Sequence, residues 1–175
     1  VYNEPMVQPA EPEDVDVDPN CFANCFGVQT RADLFYTASG YSGQMIPGFP
    51  IHDDLVYGGQ AEYTGLLTAF AHRASPSSFG AVELGAAWGP WVALAGVVAK
   101  RNGVKNISLV AVEASEQKIG ALHDHLSRNG LIGAEGIDTR IIHGAAWSED
   151  TTLHFPKEMP ITDYGGAASS EEAEN

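Results

Sequence analysis

The chain reads as an α/β protein built on a parallel sheet. Three short apolar runs, Gly80–Leu84, Ile107–Val112 and Thr139–His143, recur with helical patterns between them. Each intervening helix carries start and stop signals of its own. The middle run, within ISLVAVEAS, is almost continuously apolar and β-branched, as expected of a parallel strand covered on both faces. Strands alternating with helices in this way imply right-handed crossovers and a helix layer.

Residues 1–20 are rich in Pro and acids, as in PAEPEDVDVDPN, and nearly devoid of large apolar side chains. Too little surface can be buried there to offset ordering entropy. A disordered acidic leader is therefore expected over residues 1–25. Val28 to Thr37 then alternates, with Val28, Thr30, Ala32, Leu34 and Tyr36 on one face and Gln29, Arg31 and Asp33 on the other, which predicts a strand with one buried face. Gly40, Gly43, Pro47, Gly48 and Pro50 punctuate a loop or hairpin. From Gln60 to His72 the period becomes helical: Tyr63, Leu66, Leu67 and Phe70 form one stripe, and Ser75–Ser78 end it. Residues 26–78 are thus expected to form a small N-terminal β-hairpin and helix element.

The first core strand, Gly80–Leu84, follows. A helix from Pro90 to Arg101 opens on a proline, where a missing N–H costs nothing, and closes on Asn102–Gly103. Ser115 suits the N-cap of the next helix, in which Ile119, Leu122 and Leu126 share a stripe, and Asn129–Gly130 end it. Thr151–Phe155 reads as one further short strand. This partial core domain spans residues 79–168, and SSEEAEN, residues 169–175, is an acidic tail.

Net charge is −14, which sets the chain against nucleic-acid phosphates and anionic lipid as partners. No apolar run reaches membrane-spanning length, and no secretory signal pattern is present. Cys21 and Cys25 are too few for a disulfide framework and lack further metal ligands nearby, so two free thiols in a cytoplasmic protein are expected. The first residue is Val, so the chain is read as processed or as a piece of a longer one.

The chemistry concentrates in VELGAAWGPW, residues 82–91. A strand ends on Glu83, a turn holds Gly85 and Gly89, and a helix begins at Pro90. Glycine allows a tight turn and close ligand approach, and a helix N-terminus offers N–H groups to an anion. The same glycines also suit a strand–helix turn with no ligand. Glu113 follows Gly89 by 24 positions, near the roughly 20-residue interval at which an acid meets ribose hydroxyls. A dinucleotide site favours G-x-G-x-x-G, and Ala87 and Pro90 break that pattern. E-x-G-x-A-x-G suits S-adenosylmethionine better: turn amides would hold the donor's carboxylate, and Glu83 its amino group. Ala145 and Ala146, in HGAAWSED, would border an adenine.

Other groups read as structural. His143 is a lone strand-end histidine, Trp88 and Trp147 read as packing residues, and His123, Asp124 and His125 read as a solvated helix face. No general base emerges from spacing, so catalytic residues are not assigned, and no metal site is expected.

VELGAAWGPW, the VAVEAS strand end, the RNG closing the following helix, and RIIHGAAWSED together resemble the FkbM-type S-adenosylmethionine-dependent methyltransferases. FGVQTRADLFY and PIHDDLVYGGQAEYTGLL extend the resemblance less sharply, over about Phe26 to Ala168. It implies a Rossmann-like parallel sheet of the class I methyltransferase kind, incomplete here because the family's acceptor-binding elements come largely after the fourth strand. It implies that Glu83, Gly85, Ala87 and Gly89 match the first cofactor motif, Glu113 the ribose acid, and Ala145 and Ala146 the adenine-side segment. Ala87 departs from the glycine common in methyltransferases. The implied activity is methyl transfer, of the O-methyl type, to a small-molecule or sugar hydroxyl. A fragmentary, non-catalytic cofactor-binding module is the alternative, and an NAD-dependent oxidoreductase is disfavoured by Ala87 and Pro90. An open sheet edge invites a homo-oligomer.

Overall fold

The computed structural model describes residues 7, 10, 15–34, 40–46 and 60–154. Among them are two three-stranded sheets and three α-helices. The first sheet holds β1 (Cys21–Ala23), β2 (Gln29–Arg31) and β3 (Gln44–Met45), in the order β2-β1-β3. β1 runs antiparallel to β2 and parallel to β3. The β1–β2 turn is organised by Asn24, whose Oδ1 accepts from the backbone N–H of Phe26 and of Val28, at 3.0 and 3.1 Å. A short Asn side chain does here what a backbone turn bond would do.

This sheet corrects the expected leader. Cys21, Phe22 and Ala23 are fully buried, and Ala10 is buried with its N–H donating to the Cys25 carbonyl at 2.7 Å. The acidic composition concealed three residues of central strand, because so short an element leaves no measurable period. Cys21 and Cys25 are both free and buried, and burial pushes the Cys21 thiol pKa up. The strand expected over Val28–Thr37 keeps its alternation, with Val28, Thr30, Ala32 and Leu34 buried, but leaves extended backbone after Arg31 for a 3-10 turn, Ala32–Leu34. There the Arg31 guanidinium folds onto the Asp33 carboxylate two residues on. Phe35–Thr37, Pro47, Gly48, Pro50 and the tail at 169–175 lie outside the described residues.

The second sheet holds β4 (Ser78–Leu84), β5 (Asn106–Glu113) and β6 (Ile137–His143), all parallel, in that order. The crossovers are α2 (Pro90–Arg101) and α3 (Glu116–Arg128), while α1 (Gln60–Ala71) precedes β4. This is the mixed α/β architecture with a parallel sheet that the sequence predicts, of Rossmann-like type. α2 begins on Pro90 and ends at Asn102, with Gly103 turning the chain at φ 72°. α3 begins after Ser115 as expected, yet it is the Ser115 carbonyl that takes the first helical bonds, and its hydroxyl makes no cap bond. Leu122 and Leu126 are fully buried, and Ile119 packs at the core's edge. In α1, Tyr63 and Phe70 are buried and Leu66 and Leu67 half-buried, as the stripe requires. Tyr63 joins the two halves: its ring stacks on Phe26 and meets Trp91 edge-on.

One expectation fails on the sheet. Ile107, Leu109 and Ala111 are buried beneath the helices, but Val82, Leu84 and Ile142 on the opposite face are 66%, 63% and 47% exposed. β5 is therefore covered on one face only among the described residues. Thr151–Leu153, expected as part of a further strand, are irregular, with a single bridge residue at His154; Phe155 lies outside the described residues.

Gly96 sets the distance between α2 and β5. A Cβ there would approach a terminal carbon of Leu109 and both terminal carbons of Leu131 at 2.8 Å. Alanine elsewhere in a helix gains roughly 1 kcal/mol over glycine. Overpacking costs about 1–3 kcal/mol, so Gly96→Ala is expected to lower the urea midpoint despite that gain. An unchanged or raised midpoint would show that the two leucines yield freely.

Candidate functional site

The site is built where β4 leaves the sheet. Glu83 and Leu84 end the strand, residues 85–89 turn, and Pro90 starts α2. The turn advances by left-handed steps at alternate positions: Gly85 at φ 70°, Ala87 at φ 50° and Gly89 at φ 79°. Gly85 and Ala86 both donate their N–H to the Val112 carbonyl at 2.9 Å, and Gly89 donates to the Ala86 carbonyl at 2.6 Å. The two glycines have different work. A Cβ on Gly85 would meet nothing within 4 Å, so this position faces open space, whereas one on Gly89 would collide with the Leu122 side chain of α3. Gly85 leaves room for a ligand, and Gly89 lets two helices meet. Ala87 is the only non-glycine with positive φ among the described residues.

The two acids flank this turn. Glu113, at the end of β5, is 4% exposed; its Oε2 accepts from the Ala87 N–H at 2.6 Å and its Oε1 from the Ser115 N–H at 2.7 Å. Glu83 reaches the first turn of α2, accepting from the N–H of Val92 at 2.8 Å and, at 3.4 Å, of Trp91. Gly89, in the N-cap position, has no side chain to do this, so the neighbouring strand supplies the capping carboxylate. Burial raises the Glu83 carboxyl pKa from 4.5 to about 7, the two amides pull it back in part, and the nearby Glu113 carboxylate adds to the rise. The expectation that turn and helix amides wait for a ligand is thereby corrected: these carboxylates already hold several of them. A carboxylate has about four lone-pair sites, so each acid keeps acceptor capacity beyond these bonds.

The third strand end is tied to the second. Gly144 donates its N–H to the Glu113 carbonyl at 2.9 Å, and His143 Nε2 lies 3.1 Å from the Ala114 carbonyl. Ala145 and Ala146 follow, both exposed, and Ala145 lines a polar cavity of about 560 Å³ with His143, Trp147 and Asp150. Trp147 is 48% exposed and Trp88 buried, so only Trp88 packs in the core as both were expected to. A second cavity, about 420 Å³, runs along β4 beside α1 and includes Leu66, Glu83, Leu84 and Trp91. Glu62 is exposed on α1, while Gly58, Gly59 and the Gln60 side chain lie outside the described residues.

Sequence reasoning missed His125. It is buried, not solvated, and its ring meets Trp88 edge-on at 5.0 Å. Burial lowers its pKa from 6.5 to about 4, so the ring is neutral at ordinary pH. The available signal was its spacing: His125 lies three residues after Leu122 and one before Leu126, on the buried stripe. His123 is exposed, as expected.

These features place a glycine turn, two acids and a small-residue segment at the carboxyl ends of adjacent parallel strands, where ligands bind in open α/β sheets. The chain is similar to a methyltransferase by name. Over 143 residues it is 30% identical to a protein named "Putative methyltransferase" from Jannaschia sp. (strain CCS1). The alignment covers 79% of this chain and 47% of that protein, so the chain spans less than half the length of its relative. No family model matches the chain, and no solved structure matches it. Among the described residues no helix is long and apolar enough to cross a membrane.

Ala87 is held in a conformation that costs a side chain roughly 1–2 kcal/mol. Ala87→Gly relieves that cost but loosens the unfolded chain, by about 0.4–1 kcal/mol. The variant is expected to be neutral or up to about 1 kcal/mol more stable in urea denaturation; a clear loss of stability would show that the alanine methyl packs usefully.

Glu83 gives the fold a pH dependence of definite sign. Its folded pKa stands above its unfolded value, so the folded state binds the extra proton between about 4.5 and 7. Stability from this group is full below pH 4.5 and is lost as pH rises through 7, by an amount on the order of 3 kcal/mol. Glu83→Gln keeps a capping oxygen and cannot ionise, so that slope should vanish from urea midpoints measured between pH 5 and 8. A variant that retains the full slope would place its origin elsewhere.

Proposed function

We propose that the chain is the donor-binding part of an S-adenosylmethionine-dependent methyltransferase of FkbM type, acting by O-methyl transfer on a small-molecule or sugar hydroxyl. The observation that carries this reading is the left-handed turn Gly85–Ala87–Gly89, open at Gly85 and flanked by Glu83 and Glu113. The relative's name supports methyl transfer in general, and the resemblance of VELGAAWGPW and VEAS supplies the donor and subtype.

The residues fit such a donor with one adjustment. Gly85 offers space where a side chain would intrude, and Glu83 lines a cavity with acceptor capacity for the donor's ammonium. Glu113 stands at the strand end suited to a ribose diol, but at 4% exposure its carboxylate must be uncovered to use its remaining lone pairs. Ala145 and Ala146 are small and exposed, which leaves room for an adenine. Bound there, S-adenosylmethionine would supply an electrophilic sulfonium methyl to the acceptor oxygen, leaving S-adenosylhomocysteine, with the hydroxyl proton passing to solvent. The protein's part is orientation and exclusion of water, which lowers the barrier through prepaid entropy. No residue is assigned as base.

A second reading has its own support. A donor-binding module without turnover accounts for the same turn, and among the described residues Val82, Leu84 and Ile142 leave one face of the second sheet exposed.

Titration of S-adenosylhomocysteine by calorimetry tests the shared core of both readings. Micromolar binding is expected, weakened about tenfold, or about 1.4 kcal/mol, by Glu113→Gln. An ammonium beside Glu83 favours its carboxylate, so binding at pH 6.5 should release a proton, seen as a buffer-dependent heat. A folded chain that ignores the ligand at millimolar concentration, or prefers NAD, would sink the donor assignment. Binding without methyl transfer to any hydroxyl acceptor would favour the module.

A further inference from the structure

The peptide unit joining Trp88 to Gly89 is held at both ends. Its N–H donates to the Ala86 carbonyl at 2.6 Å, and its carbonyl oxygen lies 3.0 Å from His125 Nδ1. A carbonyl only accepts, so Nδ1 carries the imidazole proton. The neutral ring then presents Nε2 as an acceptor, and the Thr30 hydroxyl lies 3.0 Å from it and donates. All three residues are buried. One helical turn further on, at the C-cap of α3, Asn129 pairs with both backbone groups of Gln29, accepting its N–H and donating to its carbonyl at 2.9 Å each. β2 is thus docked on α3 by two polar side chains, and one of them continues into the turn.

We infer that His125 is a positioning residue for the ligand turn, through which Thr30 of the N-terminal sheet fixes the Trp88 carbonyl. This rests on the reading of residues 85–89 as the donor site. The Trp88–Gly89 peptide sits between two left-handed positions, Ala87 and Gly89. Freed of its carbonyl bond, that plane can rotate, the Gly89 N–H leaves Ala86, and Ala87 relaxes from its strained conformation. The opening at Gly85 then loses its shape. A wholly apolar contact would hold α3 against the turn equally well but would not specify the direction of this one peptide, because only hydrogen bonds are directional. The N-terminal sheet therefore bears on the site through Thr30 and the His125 ring.

Three variants of the full chain test this. His125→Leu removes both bonds at similar volume, His125→Gln restores a donor and an acceptor, and Thr30→Val removes the remote bond isosterically. Affinity for S-adenosylhomocysteine should fall about tenfold in His125→Leu, recover to within about threefold in His125→Gln, and fall about threefold in Thr30→Val, the scale of one or two buried hydrogen bonds. Amide exchange should quicken at Ala87 and Gly89 but not at Leu109 and Ala111 of β5. A folded His125→Leu with unchanged affinity and unchanged exchange overturns the inference, and so does an equal rise across β5, which would make the residue merely structural. If His125→Leu does not fold, Thr30→Val decides by the same two readouts. If the unaltered chain binds no S-adenosylhomocysteine, the donor reading fails by itself; exchange at Gly89 then decides the positioning role, and an unchanged rate there sinks it.

Discussion

The end of β5 holds the turn that follows β4, and the shape of the candidate site depends on that brace. The Val112 carbonyl takes two successive N–H groups from Gly85 and Ala86, and the next residue, Glu113, takes the third, from Ala87. Three consecutive donors of the turn are thereby satisfied by two consecutive residues of the neighbouring strand. This is possible only because β4 and β5 are parallel and in the register Leu84↔Val112, which brings both strand ends level. A turn with three left-handed residues has no internal ladder to hold it, so its shape is borrowed from the strand beside it. His125 then fixes the far end of the turn from α3, at the Trp88 carbonyl, while the Gly89 N–H closes back on Ala86.

The same economy explains the placement of charge. Glu83 and Glu113 converge on one turn, an arrangement that ought to be repulsive. Each carboxylate faces backbone N–H groups, Glu83 at the positive end of α2 and Glu113 at Ala87 and Ser115. Those dipoles offset the repulsion in part, but burial, and behind it the Glu113 carboxylate, still hold the Glu83 pKa above its ordinary value. In a chain of net charge −14, a cationic group arriving here meets a favourable field from near and far alike.

How much of this was legible in the sequence follows from length and period. The core strands and α1, α2 and α3 were readable because each repeats its pattern over seven or more residues and is bounded by Gly, Asn, Ser or Pro. β1 and β3, of three and two residues, have no period to read, and β1 lies beside an acidic stretch that argued for disorder. The turn was legible as glycines and acids, but not their division of labour. Gly85 and Gly89 look alike in sequence and differ only by what α3 places against them. Apolar Val110 and Val112 read as strand residues covered on both faces, because composition records that a side chain is apolar and not whether anything covers it. His125 was hidden by its neighbours: His123 and Asp124 colour the segment polar, though a helix sends adjacent residues in different directions.

A site whose backbone donors are already bonded behaves differently from one left bare. An empty cradle of amides gains each ligand bond in exchange for water. Here a ligand carboxylate directed at Ala87, Trp91 or Val92 must first replace Glu83 or Glu113, and the displaced acid must find another donor. The exchange favours a ligand that brings its own donors for those carboxylates: an ammonium for Glu83, a pair of hydroxyls for Glu113. A plain anion brings none and would leave two buried or half-buried acids unpaired at a cost of several hydrogen bonds. On the donor reading proposed above, the bonds that complete the fold without a ligand would act as a filter, favouring a molecule that carries cation, diol and carboxylate together over a simple phosphate.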